Sequence, residues 1–380
     1  MTPDRQRPTD IGADRIYIRQ IRPDLLDDIE PSSHPTAVLV GGQPGSARAY
    51  VTAQIRAHLA TTVGTSAIIS ADDLRQYHPQ WRARGRFDIA TAATTQEEIG
   101  RWYTRLITDG IAKGVNLLVV TSMRTPAAVS VLATRLKEAR YEVAVVALAS
   151  DRDQSRQGTL ALYDLSRSAG NTPHFVPAAH HDDAYARLRE ALARLETEHA
   201  VDRVQLVAPD GHQLYANQRQ GEHWVREPRA TYVLDDFRER RLTARELADS
   251  ALRWRTLVQR LTSDPSVPRE VASQAITWQN EAVARAEADP EASQLLTWGQ
   301  EAESFRTMNH HRFLHEFPHH AKAVERLEEA IDYAEKTFAD PSDRERFIAQ
   351  TRDRLADRIA EGRYALPQRA RDNERGSRTR

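Results

Sequence analysis

The chain has 380 residues, 40% of them apolar and 28% charged, with a formal net charge of -1. Its length suits two domains, or one large domain with an extension, and its balanced charge argues against a protein built around nucleic acid or an anionic membrane. Cysteine is absent, which excludes disulfide scaffolding and thiolate metal sites.

Residues 1–13 are polar and mixed in charge, and are expected to be flexible. They lack the apolar core of a signal peptide, and no later apolar run approaches membrane-spanning length, so a cytoplasmic address is expected. The amphipathic patch from Ile16-Tyr17-Ile18 through Leu25-Leu26 suits a short packed helix. Four compact apolar runs follow: Ala37–Val40, Ala67–Ile69, Val115–Val120 and Val143–Leu148. Each is short, mostly β-branched and bounded by turn or polar residues, as buried parallel strands are. Between them lie helical stripes: Val51, Ile55 and Leu59; Ile99, Tyr103, Leu106 and Ile107; Val129, Leu132 and Leu136. Thr125-Pro126 supplies a cap and first turn for the third of these helices. Alternating strand and helix predicts an α/β fold, a P-loop kinase-like parallel sheet flanked by helices.

Tyr185, Leu188, Leu192 and Leu195 mark a further helix that closes this domain near residue 200. Val204–Ala208, Asp210-Gly211 and Gln213–Tyr215 read as a small hairpin. Beyond it the chain reads as a mostly α-helical extension. Thr243-Ala244-Arg245-Glu246 is a capping-box pattern, and Asp264-Pro265 and Asp340-Pro341 mark breaks between helices. The expected division is therefore 1–13, 14–200, 201–367, and a disordered Arg-rich tail at 368–380.

Ligands of a parallel α/β sheet bind beyond the carboxyl ends of its strands. The first strand runs into Gly41-Gly42-Gln43-Pro44-Gly45-Ser46-Ala47-Arg48, a Gly-rich turn opening a helix. Backbone N–H groups and a helix N-terminus can hold phosphate there whatever the side chains are. Against G-x-x-x-x-G-K-[ST], however, the second Gly is Ala47, the Lys is Arg48 and the hydroxyl residue is Ala49. After the second strand, Asp72 and Asp73 emerge at the same edge; one can accept a proton or bind Mg²⁺ while the other caps the next helix. Ser122 and Arg124 follow the third strand, where an Arg suits phosphate.

Taken in order, these pieces resemble the zeta toxin family of UDP-N-acetylglucosamine kinases. The matching text includes the loop, Ala71-Asp72-Asp73-Leu74-Arg75 with Tyr77-His78-Pro79, and Arg124-Thr125-Pro126. It continues through Gly158-Thr159-Leu160 and Phe175-Val176-Pro177 to His181-Asp182. The resemblance implies an ATP- and Mg²⁺-dependent kinase that phosphorylates the 3′-hydroxyl of UDP-N-acetylglucosamine and is restrained by a small antitoxin protein. It implies Asp72 as catalytic base, the 41–48 loop as the phosphate cradle, and Ser122 and Arg124 as ligands of the sugar nucleotide and the transferring phosphate. Arg75 and His78 match in type without an assigned role.

The departures concern chemistry. Arg48 keeps the charge of the usual loop lysine in a broader, planar group. Ala49 removes the Mg²⁺-binding hydroxyl, and Ala47 adds a Cβ where backbone hugs phosphate. Val120 stands where the family carries a substrate-binding Glu, and Leu162 and His174 stand where it carries arginines. Lys113 precedes the third strand, so it belongs at the opposite edge. Arg152 and Arg156 are the nearby candidates for replacement cations. Two readings stay open: a kinase with impaired or altered activity, and a catalytically silent relative that binds a nucleotide or sugar nucleotide. A changed acceptor is a third.

No metal site is expected. His310-His311, His315 and His319-His320 include a helical i, i+4, i+8 series that Pro318 interrupts, and read as an exposed polar helix. Trp254, Trp278 and Trp298 read as core or interface anchors.

Overall fold

A β-branched run buried on both faces satisfies its backbone in a parallel ladder covered by helices, and each of the four apolar runs does so. The computed structural model describes residues 8–79, 89–171 and 173–364. Strands β1 (Thr36–Gly41), β2 (Ser66–Ser70), β3 (Asn116–Thr121), β4 (Glu142–Leu148), β5 (Arg203–Val207), β6 (Gln213–Gln220) and β7 (His223–Trp224) form one seven-stranded sheet. Its order is β2-β3-β1-β4-β5-β6-β7, parallel through β5 and antiparallel beyond it. The expected hairpin is thus part of the main sheet, because β5 pairs with β4.

Helices α1 (Pro8–Ile16), α2 (Arg48–Thr62), α3 (Ala71–Leu74), α4 (Ile89–Lys113), α5 (Pro126–Glu138), α6 (Arg152–Ser168), α7 (Ala178–Thr197) and α8 (Ala230–Glu239) surround it. Helix α1 continues through π-helical turns at Tyr17–Ile21 and Pro23–Asp27, which bury Tyr17, Ile21 and Leu26. Residues 8–13 of the stretch expected to be flexible lie in α1; residues 1–7 and the Arg-rich tail lie outside the described residues. Alternation along the strands divides the core into two layers. Leu39, Leu117, Val119, Val143 and Val145 face one, and Val38, Val40, Leu118, Val146 and Leu148 face the other.

Two compact units divide the chain: residues up to Arg240 with Pro268–Gln274, and Arg241–Val267 with the residues from Ala275 on. The second unit is helical, with α9 (Ala244–Ser263), most of α10 (Arg269–Glu287), α11 (Pro290–Thr307), α12 (His310–Glu316), α13 (Ala321–Thr337) and α14 (Pro341–Ala360). The Thr243/Glu246 capping box forms as expected. Trp254 and Trp278 are buried edge to face, 6.1 Å between ring centroids, which makes these two core anchors. No helix among the described residues is long and apolar enough to cross a membrane.

Strand register places the functional loops. Gly41 pairs with both Thr121 and Ala147, and Ser70 with Val120, so the ends of β2, β3, β1 and β4 fall on one edge. The loop after β1 is held there by backbone contact with α6. A Cβ on Gly45 would overlap the Ser155 carbonyl oxygen, and a Cβ on Gly158 would overlap that of Gly45. Gly158→Ala should therefore lower stability by about 1–3 kcal/mol, the usual cost of overpacking. Gly100→Ala, on α4 with nothing near its added methyl, should instead raise it by up to about 1 kcal/mol. Urea midpoints of the two variants check both signs.

Candidate functional site

The loop between β1 and α2 keeps the wrapped shape of a phosphate cradle without the usual second glycine. Ala47 takes that place in the left-handed region, at φ 66° and ψ 25°, as the residue before α2. An L-residue there costs roughly 1–2 kcal/mol. The anchoring is from behind. Gln43 is fully buried and its Nε2 donates to the Ser150 carbonyl and Ser155 Oγ, each at 3.2 Å. Ser155 Oγ in turn lies 2.9 Å from His181 Nε2, and His181 Nδ1 lies 2.9 Å from Asp182 Oδ1. This Ser-His-Asp line is not a nucleophile's machinery: Ser155 and His181 are fully buried, and the hydroxyl is occupied by the Asp151 carbonyl and Gln43.

At the end of β2 the helix cap is Ser70, whose Oγ accepts from the Asp73 N–H. Neither Asp is the cap, contrary to expectation, because the helix starts at Ala71, two residues earlier than a cap at Asp72 needs. Both sit in the first turn of α3, where the helix dipole favours a carboxylate. Asp72 lies 3.6 Å from Arg48 Nη2 and 3.5 Å from Arg75 Nε. Its side chain is 55% exposed into a cavity. Desolvation within the recess raises the Asp72 pKa, but Arg48, His174 and Arg75 outweigh it and hold the carboxyl below the usual range. Asp73 is shifted the other way, by burial and by the charge of Asp72.

That cavity, of about 490 Å³, brings together Pro44, Arg48, Asp72, Ser122 and Arg124 of the expected site residues. Val120 also lines it, with Arg75, Gln96, Tyr103, His174 and His180. Arg75 is buried beneath Asp72 and also donates to Gln96 Oε1 at 3.0 Å. Tyr103 donates to the Val120 carbonyl at 3.2 Å, and burial raises its pKa above the usual phenol range. Arg124 is half-exposed and only loosely held, 3.9 Å from Asp183. His78 is built differently: it lies 2.9 Å from Glu98 and packs on Trp102, in the scaffold behind the cavity.

The cations proposed as replacements are engaged elsewhere. Arg156 forms a two-point pair with Asp182, and Arg152 lies 4.9 Å over the Tyr185 ring. Lys113 bonds the Leu26 and Asp27 carbonyls, at the amino end of β3. Sequence reasoning missed Arg238, which also lies over the Tyr185 ring, at 3.7 Å, and reaches Gln43 Oε1 at 3.4 Å. Nothing local signals a contact across 195 residues.

The zeta toxin family model matches residues 23–220, just over half of the 380. The chain belongs to the zeta toxin family. It is 26% identical to the toxin PezT of Streptococcus pneumoniae serotype 4 over 181 residues, 47% of this chain and 70% of that one. It is 27% identical to the toxin zeta of Enterococcus hirae over 203 residues, 51% of this chain and 68% of that one. A solved structure from the PezAT toxin-antitoxin system of Streptococcus pneumoniae has a TM-score of 0.54 at 23% identity. It covers 67% of this chain and 99% of its own, a likeness of fold.

As a zeta toxin family member, the chain fits part of what a nucleotide needs. The loop backbone opens α2, and Ser46 Oγ is buried there without a partner among the described residues, an unsatisfied hydroxyl of the kind a phosphate can complete. The Mg²⁺ position does not fit in the usual way. Ala49 has no hydroxyl, and Asp72 is already engaged by two arginines.

Two outcomes follow from the loop and cavity. Ala47→Gly should raise stability by up to about 1 kcal/mol, the reverse of Ala→Gly elsewhere in a helix, by relieving the left-handed residue. Burial, then Arg75, lowers the His174 pKa to about 4, so the folded imidazole stays neutral where the unfolded one, at about 6.5, takes a proton. Stability should fall as pH drops from about 6.5 toward 4, and His174→Gln should lose less urea stability than wild type between pH 7 and 5. Equal acid dependence of the two would contradict this.

Proposed function

We propose that the chain is a zeta-toxin-like phosphotransferase that moves the γ-phosphate of ATP to the 3′-hydroxyl of UDP-N-acetylglucosamine, with turnover weakened by its altered loop. Asp72 carries the reading: an ionised carboxylate facing the same cavity as the loop residues Pro44 and Arg48 and the acceptor-side Ser122 and Arg124. An ionised carboxylate can accept the hydroxyl proton as attack on phosphorus develops. Ser122 would hold the sugar nucleotide, and Arg124, half-exposed and weakly paired, has the freedom to meet a phosphoryl oxygen. ATP, when bound in the 41–48 loop, supplies the phosphoryl group. Positioned cations dominate such transfers, and losing one costs roughly 10³–10⁵ in rate; Arg48 for Lys and Ala49 for a hydroxyl residue therefore argue for slow chemistry.

One observation favours a second reading. Arg48 and Asp72 lie within 3.6 Å, so the loop's cation and the candidate base satisfy each other. A silent relative that binds a nucleotide or sugar nucleotide would keep this pair. Val120 in the acceptor region favours a third, a kinase with another acceptor. The partner that family membership suggests is a small antitoxin protein.

The test is transfer of label from γ-labelled ATP, supplied with Mg²⁺, to UDP-N-acetylglucosamine. Wild type should transfer slowly, Asp72→Ala should lose transfer, and Arg48→Lys with Ala49→Thr should gain at least about tenfold, a small part of what one such cation supplies. No transfer by wild type or the double variant, with no ATP-dependent rise in melting temperature, would overturn the kinase reading. Binding without transfer would select the silent relative.

A further inference from the structure

The histidines of the second unit do not form the exposed polar helix expected of them. Helix α12 stops at Glu316, and Pro318 opens a separate 3₁₀ turn, Pro318–His320, because proline cannot continue the hydrogen-bond ladder. The turn carries His320 inside, fully buried, with His319 beside it. Both rings face Glu301 on α11, itself 8% exposed.

The three side chains converge on one point. His320 Nε2 lies 2.9 Å from Glu301 Oε2, and His319 Nε2 lies 3.3 Å from Oε1. All three residues offer ligand atoms within 4.8 Å of one another. His319 Nε2 is buried and close to the carboxylate, yet it is not aligned for a hydrogen bond and has no other partner. His320 Nε2 is hydrogen-bonded to Glu301 Oε2, whereas the buried, unaligned Nε2 of His319 can offer its lone pair to a shared cation. Phe313 stacks on His320 and Phe317 meets His319 edge to face, which fixes both imidazoles in an apolar shell.

We infer that Glu301, His319 and His320 form a divalent-cation site, and that its occupant is Zn²⁺. Two imidazoles and a carboxylate are a zinc donor set, whereas Ca²⁺ and Mg²⁺ prefer all-oxygen shells. Around a tetrahedral ion with bonds of about 2 Å, ligand atoms lie roughly 3.3 Å apart; here the two nitrogen–oxygen separations are 2.9 and 3.3 Å, one to each carboxylate oxygen. His320 Nδ1 has no acceptor among the described residues, so stacking on Phe313 does the orienting that an outer hydrogen bond usually does. The ion ties α11 to the turn before α13. A second cluster, His310, His311 and Glu328, is open: His311 is 75% exposed and its contacts are 3.8 and 3.9 Å. It serves as the internal control.

Full-length untagged protein is stripped with a chelator, loaded with zinc sulfate and gel-filtered in chelator-free buffer. Zinc per chain, affinity by competition with a zinc indicator, and melting temperature are then measured. Wild type should retain one equivalent and melt higher with zinc. His319→Ala, and Glu301→Gln beside it to keep the packing volume, should bind on the order of 100-fold more weakly or worse, with unchanged far-UV circular dichroism. His311→Ala should bind as wild type does. Substoichiometric zinc in wild type, or equal retention in His319→Ala and Glu301→Gln, would overturn the site.

Discussion

The contact between the Gly45 backbone and helix α6 is the constraint on which the first unit's active edge depends. Two glycines, Gly45 and Gly158, let a loop and a helix approach until no side-chain carbon fits between them. Around that contact, Gln43 is fixed by Ser150 and Ser155 on one side and Arg238 on the other. Ser155 is fixed in turn by His181, and His181 by Asp182, which Arg156 clamps. The loop's shape is thus set by buried partners behind it. It tolerates alanine at 47 and 49 for that reason: the residues that bend the chain are not the ones that would touch a phosphate.

The front of the loop shows the other half of this separation. Arg48 stands at the lysine position of the G-x-x-x-x-G-K-[ST] pattern, and its planar guanidinium spans to Asp72. Arg75 approaches the same carboxylate from below. Two cations around one anion keep Asp72 ionised and leave net positive charge in a cavity that Arg124 also lines. Such a field suits an anionic ligand.

The second unit rests on different physics. Its helices bury small residues and aromatics in separate clusters, one around Ala248, Ala251 and Leu296, another around Phe305, Phe313 and Leu327. The buried Glu301 between two imidazoles is the costly feature of that second cluster's surroundings. Unpaired buried charge is strongly unfavourable, so this carboxylate needs its two imidazole neighbours for the turn at Pro318 to hold its path.

The sequence alone carried the alternating β-branched runs and helical stripes, and hence the parallel sheet, since burial on both faces of a strand or one face of a helix leaves a local, periodic trace. It also carried the edge on which Asp72, Ser122, Arg124 and the 41–48 loop meet, because strand ends in a parallel sheet share one side. Only the tertiary structure decided that Ser70 caps α3, that Arg75, Gln96 and Tyr103 line the cavity, and that Arg238 reaches Gln43. By periodicity Tyr103 is one more apolar position in a stripe, since periodicity reports which face is buried and not what a hydroxyl at its end touches. The histidines show the same limit: Pro318 signalled a break, but where the broken chain turned depended on Glu301, eighteen residues before His319. Periodic burial is written locally, whereas a polar partner is chosen by whatever distant group the packed chain brings within about 3 Å.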